Sequence, residues 1–298
     1  MNKITAVVVT YNRIEILKKT IESLKNQTYP CDIMIINNAS TDDTEKWVLD
    51  YVSTNTGVHY FNTGKNIGGA GGFNYGMRKA VEQGFEYVWI MDDDCIPNND
   101  ALENLVNANR VLDGNYGYLS SVILWTDGTE CKMNRQKIKK NYYETSHLLK
   151  ENLIQVEQST FVSLFIPANT IKKVGLPIKD FFIWGDDIEY TRRITVRNKL
   201  PSFMVTKSTV VHAMKENSGS SIATDSHERI NRYKYAFRNE GYLYRKEGIK
   251  GVCYYIAKCG LNFVRILTQA KNYRLKRIYI LLSSMLKGLF FNPKIEQL

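Results

Sequence analysis

The first hundred residues alternate between short apolar runs and segments whose apolar residues recur at helical spacing. The runs are continuous and rich in β-branched residues, which predicts buried strands. They lie at residues 3–9, 33–36, 58–61 and 87–91. The segments between them carry apolar residues three or four positions apart, which predicts amphipathic helices. Strands that alternate with helices from the start of a chain indicate an α/β fold with a mainly parallel sheet.

The pattern is less regular in the middle of the chain and purely helical at its end. Residues 117–125, 159–167 and 202–211 predict three further strands, whereas the basic, polar stretch 132–147 predicts a loop or mobile segment. Beyond residue 220, apolar residues recur only at helical spacing, in three successive stripes. We therefore expect an α/β domain over residues 1–220 and amphipathic helices over residues 221–298.

Polar loops follow three of the predicted strands, at residues 10–13, 37–42 and 92–95. Ligands of α/β sheets bind beyond the carboxyl ends of the strands, so these loops are candidate site segments. The third loop carries Asp92, Asp93 and Asp94. Residues two apart on a strand end point the same way, so Asp92 and Asp94 can converge on one cation. Carboxylate oxygens suit Mg²⁺ or Mn²⁺, although a solvated acidic turn is the alternative interpretation.

A second acidic cluster, Asp186, Asp187 and Glu189, opens a predicted helix directly after aromatic residues. Carboxylates at this position favour the positive end of the helix dipole, which would be a purely structural role. The neighbouring aromatic residues favour a cleft wall instead, where burial would raise a carboxyl pKa toward the value a general base needs. His212 ends a predicted strand, and its imidazole is a candidate third ligand beside the metal carboxylates.

The net charge of +10 is unevenly distributed along the 298 residues. Residues 245–298 contain eleven Lys or Arg and two Asp or Glu, so the rest of the chain is close to neutral. Apolar stripes flanked by basic residues are typical of helices that lie on anionic lipid. The flanking residues here are Lys258, Arg265, Lys271, Arg274, Lys276 and Arg277. A helical layer that covers the catalytic domain or pairs subunits is the alternative. A nucleic-acid-binding module would leave both acidic clusters unexplained, so we expect no nucleic-acid partner.

The cysteines and the N-terminus bear on the compartment. The five cysteines form no CxxC pair and no zinc-binding spacing, which fits thiols in a reducing compartment. The N-terminus runs directly into a strand, so we expect no signal peptide and a cytosolic chain.

Taken in order, these motifs resemble the family 2 inverting glycosyltransferases of the GT-A fold over about residues 4–215. The matching segments are 7–13, the Asn-Ala-Ser-Thr-Asp motif at 38–42, the aspartates at 92–94, Trp184-Gly185-Asp186-Asp187-Ile188-Glu189, and Tyr235-Ala236-Phe237-Arg238-Asn239. The resemblance implies a nucleotide-binding half at 1–98 and an acceptor-binding half at 99–220. One departure is Asn37, which stands where the family usually has a uracil-binding aspartate, and another is Gly185, which lengthens the acidic motif.

The resemblance also implies roles for individual residues. It assigns Asp92, Asp94 and His212 to a Mn²⁺ or Mg²⁺ ion. It favours Asp187 as the general base, with Asp186 as the alternative and Glu189 as the third carboxylate of that motif. The residues it assigns to the nucleotide sugar are Thr10, Tyr11, Arg13, Asn37, Asn38, Asn66, Asp93 and Trp184.

Within the family, Asn66-Ile67-Gly68-Gly69-Ala70-Gly71-Gly72-Phe73 followed by the aspartates is similar to bacterial galactofuranosyltransferases. This similarity implies UDP-galactofuranose as the donor and a glycan or lipid-linked glycan as the acceptor. It also implies an enzyme that is peripheral on the inner face of the cell membrane. A rhamnosyltransferase that uses dTDP-rhamnose is the alternative, and a nucleotidyltransferase is the rival from another class. Whether the chain forms a homo-oligomer is left open.

Overall fold

The computed structural model describes residues 3–298 as ten strands and ten α-helices arranged as an α/β fold with a helical C-terminal region. The strands are β1 (Ile4–Thr10), β2 (Asp32–Asn37), β3 (Val58–Asn62), β4 (Tyr87–Asp92), β5 (Cys95–Pro97), β6 (Leu119–Leu124), β7 (Lys137–Ile138), β8 (Leu153–Gln158), β9 (Leu164–Pro167) and β10 (Phe203–His212). The helices are α1 (Ile14–Lys25), α2 (Thr44–Thr54), α3 (Gly68–Glu82), α4 (Ala101–Leu112), α5 (Ala168–Val174), α6 (Asp186–Arg192), α7 (His227–Ile230), α8 (Tyr233–Lys246), α9 (Gly248–Gln269) and α10 (Arg274–Phe290).

The strands form one sheet in the order β3-β2-β1-β4-β9-β6-β10-β8-β7, and β5 pairs with β10. The first four strands, which belong to the proposed nucleotide-binding half, are parallel, as expected. The second half adds antiparallel pairs on both sides of β9 and on one side of β10, which runs parallel to β6 on the other, so the whole sheet is mixed rather than mainly parallel. The helices cover both faces, because two apolar clusters lie on opposite sides of β1, whose residues are all buried.

Strand register brings the candidate loops to one edge of the sheet. Thr10 pairs with Asn37 on one side of β1, and Val9 pairs with Asp92 on the other. The three loops that follow these strands are therefore neighbours. From the other half of the sheet, β10 runs antiparallel to β5 and places His212 opposite Cys95, directly after the aspartates.

The irregular middle of the chain differs from the sequence prediction in two places. Only Leu164–Pro167 of the predicted strand at 159–167 is extended, and the strand Leu153–Gln158 was not predicted. The stretch 132–147, expected to be a loop, contains a 3₁₀ turn at Lys132–Asn134 and the start of a longer 3₁₀ segment. Short strands flanked by polar residues carry too little periodicity to be separated from loops.

The glycine-rich stretch forms the first turns of α3 rather than a loop that precedes it. Its glycines serve close packing between helix and sheet. A β-carbon on Gly72 would lie 2.5 Å from a methyl carbon of Val9, and one on Gly76 would lie 2.5 Å from Val7. At Gly68, where φ is +75°, a β-carbon would lie 2.0 Å from the carbonyl oxygen of Phe182. These contacts account for Gly68, Gly72 and Gly76 without a ligand, whereas a β-carbon on Gly69 would meet open space.

The C-terminal helices α8, α9 and α10 pack on one another around a separate apolar cluster that includes Phe237, Tyr255 and Ile266. The chain end then returns to the α/β part, where Glu296 contacts Arg78 and Lys179. No helix of the described residues is both long enough and apolar enough to cross a membrane.

Candidate active site

The acidic loop after β4 is held by the loop after β1. Asp93 is buried, and its carboxylate accepts hydrogen bonds from the hydroxyl of Thr10 and from Arg13, each at 2.8 Å. The backbone carbonyl of Asp93 accepts a further bond from Thr20 at 2.6 Å. The second arm of Arg13 binds Asp94 at 2.8 Å. The bidentate guanidinium therefore neutralises part of the charge of the triplet and fixes its geometry.

Asp92, Asp94 and His212 form a compact set of metal-ligand atoms. One ligand atom from each lies within 4.8 Å of the others. His212 Nε2 lies 3.1 Å from Asp94 Oδ1, while Nδ1 lies 2.7 Å from the side-chain oxygen of Asn134. The side-chain oxygen of Asn134 can only accept a hydrogen bond, so in the neutral ring the proton lies on Nδ1. Nε2 is then free to bind a cation.

The pKa values of this set show strong electrostatic coupling. Burial raises the pKa of Asp92 to about 7, and the charge of Asp94 adds to the effect. Burial also acts to raise the pKa of Asp94, but hydrogen bonds and charge from His212 and Arg13 outweigh it and lower that pKa to about 2. Burial would lower the pKa of His212, yet its partnership with Asp94 raises it to about 10. A divalent cation would replace the imidazolium proton as the partner of these carboxylates.

The second acidic pair lies close enough to the first for the charge of Asp92 to act on Asp186, and we call the space between the two clusters the cleft. Asp186 and Asp187 begin α6, directly after Gly185, whose φ of +85° turns the chain into the helix. Burial raises the pKa of Asp186 well above its usual range, and the charges of Asp187 and Asp92 add to the effect. Burial raises the pKa of Asp187 to about 6. A carboxyl with that pKa is suited to accept a proton at neutral pH.

Three residues assigned to the nucleotide sugar have internal partners instead. Asn37 is fully buried, donates to the hydroxyl of Tyr60 at 2.9 Å and accepts from the amide of Ser40 at 2.8 Å. Asn38 is also buried and binds the backbone at Ile67 and Gly68. Thr10 is buried, and its hydroxyl donates to Asp93. The structure therefore gives these three side chains the role of holding the loops together.

Four other predicted residues of this group are at least partly accessible, whereas Asp93 is buried and bound to Thr10 and Arg13. Tyr11 is 40 % exposed beside the aspartates, and Arg13 keeps about half of its side chain exposed. Asn66 lines a separate surface pocket of about 590 Å³ together with Tyr75, Phe182 and other side chains. Trp184 is half-buried, with its ring edge-to-face against Tyr233.

Glu189 does not fit the catalytic role that the sequence predicted. Its carboxylate is fully buried and forms ion pairs with Arg193 and Arg197. Arg193 in turn donates to the carbonyl groups of Val174 and Leu176. Because both carboxylate oxygens are engaged inside the domain, we assign Glu189 a structural role.

Sequence reasoning missed three residues that support the site. Asn134 holds His212, and no pattern in its polar surroundings indicated this. Arg238 and Asn239 donate hydrogen bonds to backbone carbonyls of the loop before Asp186. Their Arg-Asn signature was visible in the sequence, but its purpose depends on a contact across more than fifty residues.

The pattern that defines glycosyl transferase family 2 matches residues 5–162, just over half of the chain. The match includes the loops after β1, β2 and β4 described above. The chain belongs to glycosyl transferase family 2.

Two relatives resemble this family 2 glycosyltransferase over most of their length. Galactofuranosyltransferase GlfT1 of Mycolicibacterium smegmatis is 24% identical over 261 residues, which cover 83% of this chain and 84% of the relative. The protein of the same name from Mycobacterium tuberculosis is 27% identical over 260 residues, which cover 82% and 83%.

Solved structures show the same GT-A fold. GalNAc-T7 with UDP, GalNAc and Mn²⁺ superposes with a TM-score of 0.67 at 16% identity, over 94% of this chain and 54% of that one. The mannosyltransferase PcManGT from Pyrobaculum calidifontis, in complex with GDP-Man and Mn²⁺, gives 0.60 at 16% identity, over 97% and 87%. The family 2 enzyme is therefore a glycosyltransferase with the GT-A architecture.

Proposed function

We propose that this enzyme transfers galactofuranose from UDP-galactofuranose, with inversion, to a hydroxyl group of a growing lipid-linked cell-surface glycan. The observation that carries the reaction type is the facing arrangement of Asp92, Asp94 and His212 with the acidic pair Asp186 and Asp187. The choice of sugar is supported by the two GlfT1 relatives, which align over more than four fifths of the chain.

The residues of the cleft divide the chemistry between them. Asp187, whose pKa burial raises to about 6, accepts the proton of the acceptor hydroxyl, which attacks the anomeric carbon on the face opposite the nucleotide. One displacement of this kind inverts the configuration. Burial raises the pKa of the neighbouring Asp186 well above its usual range, and the charge of Asp187 adds to the effect. Tyr11, 40 % exposed, offers a ring face to the nucleobase.

The donor set fits Mn²⁺ or Mg²⁺. Asp92, Asp94 and His212 would hold the ion, and Asn134 would orient the imidazole. When bound, such an ion neutralises charge on the diphosphate leaving group. Arg13, fixed by Asp93 and Asp94, adds a permanent positive charge on the same side of the cleft.

A panel of sugar nucleotides tests this assignment. The purified chain with Mn²⁺ is incubated with UDP-galactofuranose, UDP-galactopyranose or dTDP-rhamnose and a lipid-linked acceptor, and the released nucleotide is identified. Release of UDP with the furanose donor alone is expected. Release of dTDP would make the rhamnosyl alternative correct, and release of pyrophosphate would identify a nucleotidyltransferase.

The proposed acceptor places the enzyme at a membrane surface, and the C-terminal helices offer a surface for it. Most exposed large apolar side chains of the described residues lie on α9 and α10. On α10 they recur three or four positions apart, which forms one apolar face. This face consists of Leu275, Tyr279, Leu282, Leu286, Leu289 and Phe290.

The charges around this face fit anionic lipid, with a correction to the sequence prediction. Arg277 is buried and binds backbone carbonyls, and Lys258 pairs with Glu240, so neither is available to lipid. The basic side chains that remain exposed beside the apolar face are Lys250, Arg265, Lys271, Arg274 and Lys287. We therefore propose that the enzyme works as a peripheral protein on the inner, anionic face of the cell membrane.

Flotation with liposomes tests this attachment on the full chain. Leu275→Glu together with Leu286→Glu should abolish co-flotation with anionic vesicles, because both side chains are more than half exposed on the apolar face. The matched control is Leu49→Glu, which changes an equally exposed leucine on α2 and should float as wild type does. Equal flotation of all three proteins would refute the proposal. If the double variant instead converted a dimer to a monomer in sedimentation, the face would be a subunit interface.

A further inference from the structure

The loop that leads into α6 has an unusual backbone. Phe182 has φ of +65° and Trp184 has φ of +64°, a region that side chains with a β-carbon rarely adopt. Gly185 follows with φ of +85°. Conformations of this kind persist only when the surrounding structure over-determines them, and they concentrate at functional sites. This loop, residues 180–185, ends directly at Asp186 and Asp187.

Asn239 of α8, in the C-terminal region, forms hydrogen bonds with the backbone of this loop. It is fully buried, and its side-chain nitrogen lies 3.0 Å from the carbonyl oxygen of Phe181, 3.3 Å from that of Ile183 and 2.8 Å from that of Trp184. Its two N–H groups thus serve three carbonyls in succession. A side chain without a donor at this position would remove all three bonds. The carbonyl of Phe181 would keep its bonds from the amide of Ile183 and from Arg238, whereas those of Ile183 and Trp184 would lose this partner.

Arg238 holds the start of the same loop and orients Asn239. It donates to the carbonyl of Asp180 at 2.7 Å and to the side-chain oxygen of Asn239 at 2.8 Å. That second bond fixes which end of the Asn239 amide faces the loop. The guanidinium of Arg238 is itself placed over the ring of Phe291, 4.0 Å from its centroid.

The opposite side of the loop is held by α3. The carbonyl oxygen of Phe182 accepts a hydrogen bond from the amide of Ala70 at 3.2 Å, in the space that Gly68 leaves open. Residues 180–185 are thus fixed between an element of the nucleotide-binding half and an element of the C-terminal region.

We infer that Arg238 and Asn239 are positioning residues for sugar transfer, which act by fixing residues 180–185 and thereby aiming the carboxylate of Asp187 into the cleft. This inference rests on the proposed role of Asp187. It makes α8 part of the catalytic apparatus, so the C-terminal helices do more than attach the enzyme to a surface. Misplacement of a reacting group by about 1 Å can lower a rate by about 10²-fold, so the effect should be large.

The test uses full-length Asn239→Ala, with Asn262→Ala as the matched control. Asn262 is also a buried asparagine whose amide donates to a carbonyl, that of Lys258, but it lies on α9 away from the loop. For Asn239→Ala we expect kcat to fall about 10- to 100-fold, with KM for the donor and Mn²⁺-dependent UDP affinity within about threefold of wild type. The control should keep kcat within about threefold.

Hydrogen exchange provides a readout that needs no turnover. In Asn239→Ala the amides of residues 180–187 should exchange faster, while those of residues 87–95 keep their wild-type rates. Arg238→Lys, which keeps a positive charge but loses the second donor arm, should show the same pattern more weakly and covers the case in which Asn239→Ala does not fold. Unchanged exchange and unchanged kcat in a folded variant would overturn the inference. If wild type transferred no sugar, the proposed function would fail, and exchange would still decide whether these residues fix the loop.

Discussion

Replacing Glu189 by glutamine removes the negative charge that Arg193 and Arg197 share inside the domain. Glu189 is fully buried, Arg193 is nearly so, and Arg197 is 22% exposed. The variant keeps the shape of the side chain and one hydrogen-bond acceptor, so the change is almost purely electrostatic. It leaves the guanidinium of Arg193 buried with uncharged partners: the carbonyls of Val174 and Leu176, the ring of Tyr190 and the amide oxygen of the new glutamine.

The magnitude follows from that burial. Removing one partner of a buried ion pair costs about 3–5 kcal/mol, because the remaining charge stays desolvated. Arg197 can turn toward water, so the low end, about 3 kcal/mol, is the better expectation here. For a domain of this size each kcal/mol corresponds to roughly 2–4 °C, which predicts a Tm lower by roughly 6–12 °C.

Thermal unfolding and sugar transfer at 20 °C separate the structural from the catalytic role of Glu189. The structural role predicts the loss of Tm together with a kcat within about threefold of wild type. Glu15→Gln is the matched control, because Glu15 pairs with Lys18 at the surface with 82% of its side chain exposed. That variant should change stability by no more than about 0.5 kcal/mol. Wild-type Tm with a hundredfold loss of kcat in Glu189→Gln would refute the reasoning.

Three further outcomes are expected. Burial raises the pKa of Asp187 to about 6, and the base must be deprotonated, so kcat should be constant above that pH and fall about tenfold per pH unit below it. The variant Asp187→Asn should abolish sugar transfer but bind UDP normally. Near-normal transfer by this variant would exclude Asp187 as the base. Asn134→Ala should weaken Mn²⁺ binding about 10- to 100-fold in titration calorimetry because the ring of His212 loses its acceptor, and unchanged affinity would contradict that role. Gly76→Ala should lower the free energy of unfolding in urea by about 1–3 kcal/mol, because its β-carbon would lie 2.5 Å from a valine methyl of β1. The control Gly69→Ala places its β-carbon in open space and should be neutral or stabilising.

The nucleotide-binding half was predictable because its determinants are local. The strands β1, β2 and β4 contain continuous apolar runs, and β1, β2 and β3 are each followed directly by a helix with its own periodic stripe. Parallel pairing of such units requires the loops at their carboxyl ends to share one edge, so the proximity of the first loop to Asp92 follows from the topology.

The second half was predicted only in part: the strands at 117–125 and 202–211 are confirmed, but the rest depends on pairings between distant segments. The strand Leu153–Gln158 alternates weakly and is defined by its antiparallel partner β10, about fifty residues later. The same holds for the bond between Asn134 and His212. Glu189 is different, because its spacing of four residues from Arg193 is a local signal of an ion pair on one helical face, and the sequence prediction of a catalytic role overlooked it.

The charges of the cleft explain why its two acidic clusters belong to one site. Its buried or half-buried carboxylates are those of Asp92, Asp93, Asp94, Asp186 and Asp187. Arg13 and His212 are the cations that contact them in the described residues, and both are bound to Asp94, so Asp92 and the second pair are left under-compensated. Burial then raises the pKa values of Asp92 and Asp187 into the range of 6 to 7. A divalent cation at Asp92 and Asp94 would relieve the repulsion within the first cluster, whereas Asp187, outside that ligand set, would keep the raised pKa that a base requires.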